Sequence, residues 1–326
     1  MTVDEISPVT RFLNQYFNYE KKTVPITAAD FNEFADFIHR KYPDIINDLP
    51  VIHIAGSKGK TSITWLLRRV LQKHGYKVGT FTSPHLSSYT ERISLNGTPL
   101  SEEKLMYYLQ KADAESEYSA TGNLRTVFEL LFIASLHYFA DESVDYAIYE
   151  TGLGGRLDAT NVFTRPLLTL LTPIQKDHTR LLGKTLTSIA GEKAGILKKE
   201  VPALSFPQRP VVRKVLREKS KEKEAPLTIL SPSSLETPSF LEEKLNSLPV
   251  NSAHLQNVFF TEKALRLLDI PLNEEHIYSC LLENVPGRWE LHYTDNKILI
   301  FDGAHCPFSA FNLRKNIDRH FPGQPV

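Results

Sequence analysis

Cysteine is scarce: the 326-residue chain has two, Cys280 and Cys306. Two thiols exclude a disulfide framework and a four-cysteine zinc site, and the scarcity suits a reducing compartment. Excess charge is also lacking, because 38 Lys and Arg balance 38 Asp and Glu. That argues against a surface that wraps nucleic acid, though not against a local basic pocket. No run reaches the roughly 18 apolar residues needed to cross a bilayer. The stretch from Met1 to Asn14 carries acids and no apolar run, so it does not read as a secretory signal. Internal repeats at periods of roughly 20–50 residues and heptads are missing too. What remains is ordinary for a soluble globular protein, with 41% hydrophobic and 23% charged residues. At about 150 residues per domain the length suggests roughly two domains, and cytoplasmic placement is the expectation.

The chain alternates short β-rich runs with helical patterns. Strands are expected at Val51–Ala55, Val78–Phe81, Val144–Tyr149 and Leu167–Leu171. Helices are expected at Thr61–His74, Ser101–Ala114, Thr126–Ala140, Thr185–Lys198 and Leu255–Leu268, with Gly75 as a C-cap. The helix from Thr126 is apolar nearly all round, which places it deep in the protein. Strands joined by helices predict an α/β fold with a mainly parallel sheet and helices on both faces. Lys219–Ser252, with its mixed charges and Ser-Pro runs, reads as a loose excursion or insertion. Trp289–Tyr293 and Lys297–Phe301 read as a hairpin around Asp295-Asn296, and Ser309–Arg319 begins a helix. The punctuation at Pro286-Gly287 suggests two domains, 1–286 and 287–326. The second has about 40 residues, marginal for independent folding, and is expected to be incomplete or to pack wholly on the first.

The most informative run is Val51-Ile-His-Ile-Ala-Gly56-Ser57-Lys58-Gly59-Lys60-Thr61-Ser62. A buried strand enters a glycine loop, and the loop opens a helix. Glycines let backbone amides close around phosphate oxygens, the helix N-terminus adds positive potential, Lys60 reaches terminal phosphates, and Thr61 or Ser62 can hold Mg²⁺. Ile54 stands where the full phosphate-loop pattern has its first glycine, so G-x-x-G-K-T is what remains. Glu150 ends a strand beside this loop, where an acid can ligate Mg²⁺ or merely face solvent. Lys193 shares a helix face with Leu186, Ile189, Ala190 and Leu197. A lysine there either snorkels to solvent or is buried with a lowered pKa. Gly152, Gly154 and Gly155 allow a tight loop, which Arg156 and Asp158 could order while holding a phosphate; plain glycine turns are the alternative.

The A-G-S-K-G-K-T run resembles the Mur ligase superfamily. Phe81-Thr-Ser83-Pro84-His85-Leu86 with Glu91-Arg92-Ile93, then Thr126-Val-Phe128-Glu129, then Glu150-Thr-Gly152-Leu-Gly154-Gly155-Arg156-Leu-Asp158-Ala-Thr160-Asn161, resemble blocks of the folylpolyglutamate synthase and dihydrofolate synthase family. Asp177-His178, Leu182-Gly183, Glu192-Lys193-Ala194-Gly195-Ile196, Pro286-Gly287-Arg288 and Asp302-Gly303-Ala304-His305 continue the match in family order. Cys306 and Lys58 each stand where the family prefers Asn, Thr61 replaces a Gly, and the His-Gln usual before Asn257 is absent.

The resemblance implies a phosphate-loop ATPase domain followed by the start of a Rossmann-like C-terminal domain. It implies an ATP-dependent ligase that joins a pterin or folate carboxylate to L-glutamate through an acyl phosphate. The alternatives are another Mur-type ligase or a nucleotide-binding protein without ligase activity. It implies two Mg²⁺ ions, with Ser83, Glu150 and His178 as ligands, and a carbamylated Lys193. Lys60, Lys193 and His178 would be catalytic. Gly56, Ser57, Lys58, Gly59, Lys60, Thr61, Ser62, Asn257, Arg288, Asp302 and His305 would hold ATP. Pro84, His85, Arg92, Arg156 and Asp158 would meet substrate. The expected partners are small molecules, namely ATP, L-glutamate and dihydropteroate or a reduced folate. Nucleic acid and membrane are not expected, and the chain is expected to be a monomer. About 20 residues follow His305, fewer than the family's C-terminal domain needs.

Overall fold

The computed structural model describes residues 7–18, 26–116, 125–235, 251–270, 274–283, 285–295, 297–304 and 307–323. By compactness the chain divides into two units, Met1–Leu230 and Ser231–Val326. In chain order the first unit holds helices α1 (Pro8–Leu13), α2 (Ala28–Lys41) and α3 (Pro43–Asp48), then β1 (Val51–Ala55), α4 (Lys60–Lys73) and β2 (Val78–Phe81). Next come β3 (Ile93–Leu95), β4 (Thr98–Pro99), α5 (Glu102–Glu115), α6 (Val127–Asp141), β5 (Tyr146–Glu150) and β6 (Leu168–Leu171). The unit closes with α7 (Leu186–Lys193), β7 (Ala203–Ser205), α8 (Pro210–Glu222) and β8 (Leu227–Ile229).

These eight strands form one sheet in the order β4-β3-β2-β5-β1-β6-β7-β8. The pairs from β2 to β8 are parallel, and only the β2–β3 and β3–β4 pairs at one edge are antiparallel. All five residues of β1 are buried, which is why that run carries apolar side chains on both faces rather than alternating. Val51, Ala147 and Tyr149 enter a core with Phe34, Phe132 and Phe139. α6 buries eleven of its fifteen residues, so its all-round apolarity does reflect depth. Its start is fixed by a capping box, Thr126 with Glu129. The carboxyl ends of β1, β5 and β6 lie side by side, the place where parallel sheets open toward ligands.

The predicted α/β fold with a mainly parallel sheet is what the structure has. Several expectations need correction. The helix expected over Thr185–Lys198 ends at Lys193 and tightens to a 3₁₀ turn, Ala194–Ile196. The expected excursion from Lys219 instead continues α8 and adds β8, which pairs with β7 in register Ala203↔Leu227. Short strands with one half-buried face carry too weak a period to read. Residues 236–250 of that excursion lie outside the described residues.

The second unit contains α9 (Ser252–Arg266), α10 (Glu274–Leu282), β9 (Glu290–Tyr293), β10 (Ile298–Phe301) and α11 (Pro307–His320). α9 packs on α10, where His254 Nε2 lies 3.0 Å from Cys280 O. β9 and β10 form the predicted hairpin, pairing Tyr293 with Ile298. Trp289 is buried against Phe321 and His320. The domain boundary suggested after residue 286 therefore falls inside this unit, because α9 and α10 belong with it.

Candidate active site

The glycine loop joins β1 to α4 as its sequence requires. Gly59 caps α4 with φ 88°, a left-handed conformation natural to glycine, and no side chain caps the helix start. The first-turn amides of α4 are therefore oriented for an anion. The other half of the loop is tied down. Ser57 N and Lys58 N donate to Pro173 O at 3.0 and 3.4 Å. Ser57 Oγ donates to Gln175 O and accepts from Gln175 N, both at 3.0 Å. The segment beyond β6 thus braces the loop, a role no motif in that segment announced.

Two amines meet at Gly56. Lys193 Nζ donates to its carbonyl at 2.8 Å and Lys60 Nζ at 3.2 Å. Lys193 is 2% exposed, so of the two readings of its helix stripe the buried one holds. Burial, reinforced by the charge of Lys60, pulls its pKa from 10.5 to about 7. His178, at φ 45°, lies 3.6 Å from Asp177 through Nε2. Burial holds its imidazole below the usual range; Asp177 opposes this, while Lys193, Lys60 and Lys58 add to it.

Glu150 is fully buried at the tip of β5, and its Oε2 accepts from Thr61 Oγ1 at 3.1 Å. Ser83, just beyond β2, is buried as well. Among the described residues no three His, Cys, Asp or Glu side chains gather. A cation here would be held by one carboxylate with hydroxyls and phosphate oxygens. Such a hard-oxygen set fits Mg²⁺.

Arg92 is 1% exposed and donates through Nε to His85 Nδ1 at 2.8 Å, over the Tyr89 ring. Both belong to the expected substrate segment, and here they hold each other. Asp158 is buried and accepts from Leu153 N, Thr160 N and Thr160 Oγ1. Burial raises its pKa against those donors. It orders the loop, as expected. Arg156 instead binds Glu192 Oε1 through Nε at 3.0 Å and Nη2 at 2.8 Å.

A cavity of about 430 Å³ opens beside this loop. Phe31, Phe34 and Phe128 give it aromatic walls, Asp158 and Glu129 contribute acids, and His178 lines it from the phosphate side. Phe128 belongs to the Thr126–Glu129 block, whereas Phe31 and Phe34 come from α2, which no block covers. Their aromatic spacing was the available signal.

The remaining nucleotide candidates lie in the second unit. Asn257 is half-buried on α9, Arg288 is exposed with Nη1 on Gly287 O at 3.0 Å, and Asp302 accepts from Trp289 N at 2.9 Å. Pro84 follows Ser83 in the first unit, while His305 lies outside the described residues.

A glycine loop, a buried strand-end carboxylate and a buried lysine on a parallel sheet define a nucleotide-handling α/β enzyme class. Comparison with known proteins narrows it. Residues 54–233 match the Mur ligase middle domain. The chain is 33% identical over 297 residues to the dihydrofolate synthase/folylpolyglutamate synthase of Bacillus subtilis, covering 84% of this chain and 69% of that protein. Three further folylpolyglutamate synthases are spanned over 52%, 55% and 31% of their length. Escherichia coli FolC in complex with DHPP and ADP superposes with a TM-score of 0.78 at 29% identity, covering 99% of this chain and 77% of that one. The bifunctional folylpolyglutamate synthase/dihydrofolate synthase of Yersinia pestis, complexed with AMPPNP and a Mn ion, gives 0.77 at 26% identity, covering 98% and 77%. The chain belongs to the folylpolyglutamate synthase/dihydrofolate synthase family of Mur ligases. No helix among the described residues is long and apolar enough to cross a membrane.

Proposed function

We propose that this chain carries the ATP-dependent ligation of L-glutamate to a pterin or folate carboxylate through an acyl phosphate. The observation that carries this reading is the junction at Gly56, where two lysines converge, together with a buried strand-end carboxylate held by Thr61 on the helix that the glycine loop opens and an aromatic cavity lined by His178. ATP would place its phosphates on the first turn of α4, where Lys60 leaves Gly56 O for a phosphate oxygen. The flat pterin would occupy the Phe31–Phe34–Phe128 cavity, with its amino groups toward Glu129 and Asp158. Its carboxylate would then attack the γ-phosphorus, ADP would leave, and the glutamate amine would displace phosphate from the acyl carbon. Lys60 and the loop amides offset the charge that develops.

Glu150 and Ser83 would hold one divalent metal, with Thr61 Oγ1 orienting the carboxylate, and His178 would serve a second. Bound Mg²⁺ would neutralise phosphate charge. The Yersinia pestis complex with a Mn ion supports a divalent site in this family. Lys193, half-neutral near pH 7, would add CO₂ at Nζ to form a carbamate with release of one proton. The buried amine would thereby become an anion beside the metal.

The test is incubation with ATP, Mg²⁺ and L-glutamate, separately with dihydropteroate and tetrahydrofolate, with products read by mass. A one-glutamate gain with either acceptor is the expected result and also identifies that acceptor. ATP binding with no gain from either acceptor would sink the ligase reading for this chain.

A further inference from the structure

Two residues past His178, Arg180 lies on the wall of the aromatic cavity. It is exposed, and among the described residues it makes no ion pair or hydrogen bond. The acids on the same wall have partners elsewhere. Asp30 accepts from Thr27 N and Oγ1, Glu129 from Thr126 N, and Asp158 from Leu153 and Thr160. Arg180 is therefore a charged group on the cavity wall with no ion-pair partner among the described residues.

The cations of the phosphate loop do not serve this space. Lys58, Lys60 and Lys193 are not on the cavity wall, and Lys60 and Lys193 both donate to Gly56 O. An acceptor with an aromatic body and a carboxylate end must bring that anion next to a second anion, the nucleotide's terminal phosphate. Two like charges held that close repel each other strongly in a partly desolvated site. The lysines offset the phosphate, which leaves the carboxylate to be offset from the cavity side. A guanidinium presents paired N–H donors that match a carboxylate, a geometry that an ammonium lacks.

We propose that Arg180 is the specificity residue that grips the acceptor's carboxylate, so that the cavity selects pterins bearing an acid over pterins that lack one. This rests on the reading of the cavity as the acceptor site. It assigns Arg180 to substrate binding and orientation, distinct from the nucleotide's lysines.

The experiment measures Kd by fluorescence quenching, with Mg²⁺ and a non-hydrolysable ATP analogue present. The two probes are dihydropteroate and 6-anilinomethyl-dihydropterin, the same molecule without its carboxylate. The proteins are wild type, Arg180→Ala and Arg180→Lys. Wild type is expected to prefer the acid by about 10-fold or more. Arg180→Ala should lose that preference while binding the acid-free pterin as wild type does, and Arg180→Lys should recover part of it. Equal weakening of both probes, or of neither, overturns the proposal. So does weaker binding of the ATP analogue to Arg180→Ala with pterin binding intact, because that would place the guanidinium on phosphate. Wild type that binds neither pterin but holds the nucleotide overturns the acceptor reading itself, and the proposal with it.

Discussion

Lys60 and Lys193 lie 133 positions apart in the chain, yet both donate to the carbonyl of Gly56, at 3.2 and 2.8 Å. One oxygen shared by two amines is a poor arrangement for both, because the like charges crowd each other. A phosphate group would relieve it by drawing Lys60 away. Lys60→Met should therefore weaken ATP binding by about 10- to 100-fold, the scale of a lost charge-assisted hydrogen bond. Isothermal titration with a non-hydrolysable analogue measures this. Unchanged affinity would mean that Lys60 stays on Gly56 in the bound state.

Lys193 also makes stability depend on pH. Its folded pKa is about 7 against an ordinary 10.5, through burial and then Lys60. Between those values the unfolded chain binds a proton that the folded chain does not, so stability rises with pH from about 7 to 10.5 and is flat in this group outside that window. Lys193→Met should flatten the rise. Urea denaturation of both proteins from pH 7 to 10 in CO₂-free buffer reads the difference. Parallel curves for the two proteins would contradict the buried, perturbed amine. Readmitting ¹³C-labelled bicarbonate to wild type should produce a carbamate carbon signal that the variant lacks.

The glycine loop, Glu150 and the parallel strands were legible because each depends on local pattern. A buried strand must be apolar, and a phosphate loop must be small and basic. What Lys193 does was open, since helical spacing fixes its face but not what covers that face. Burial came from tertiary packing, which seats the amine on the carbonyl of Gly56. The brace on Ser57 from Pro173 and Gln175 was illegible for a related reason. It uses backbone atoms of a segment with no distinctive residues. β7 and β8 escaped because three-residue strands offer barely one period of alternation. Arg180 carried no signal at all, because only the cavity makes a free arginine informative.

Arg156, expected to meet substrate or hold a phosphate, is paired with Glu192 in this structure. Its guanidinium is half exposed and spans to Glu192 on α7, with Nη2 at 2.8 Å. An ion pair that open to solvent stabilises by less than about 1 kcal/mol. Arg156→Ala should shift the urea midpoint little and leave the affinity for a non-hydrolysable ATP analogue within about twofold. A tenfold loss of nucleotide affinity would show instead that Arg156 leaves Glu192 for phosphate when ATP binds.

Gly195 answers to a harder constraint. A Cβ built there would lie 2.3 Å from the Arg156 Cα and 2.6 Å from its N, both backbone atoms that cannot swing aside. The contact exists because the loop after β5 docks on the end of α7, where Arg156 N donates to Glu192 O at 2.8 Å. Asn161 Nδ2 reaches from the same loop to Gly195 O at 3.4 Å. One methyl group would push the loop off the helix and strain both bonds. Gly195→Ala should therefore destabilise by about 3 kcal/mol or more, the upper end of overpacking costs. Because Lys193 lies two residues earlier on that helix end, the same displacement should open its amine to water and raise its pKa from about 7 back toward 10.5. Thermal denaturation reads the first effect, and the pH dependence of carbamate formation in ¹³C spectra reads the second. A variant with wild-type stability and an unshifted lysine would show that the loop and α7 are not rigidly docked.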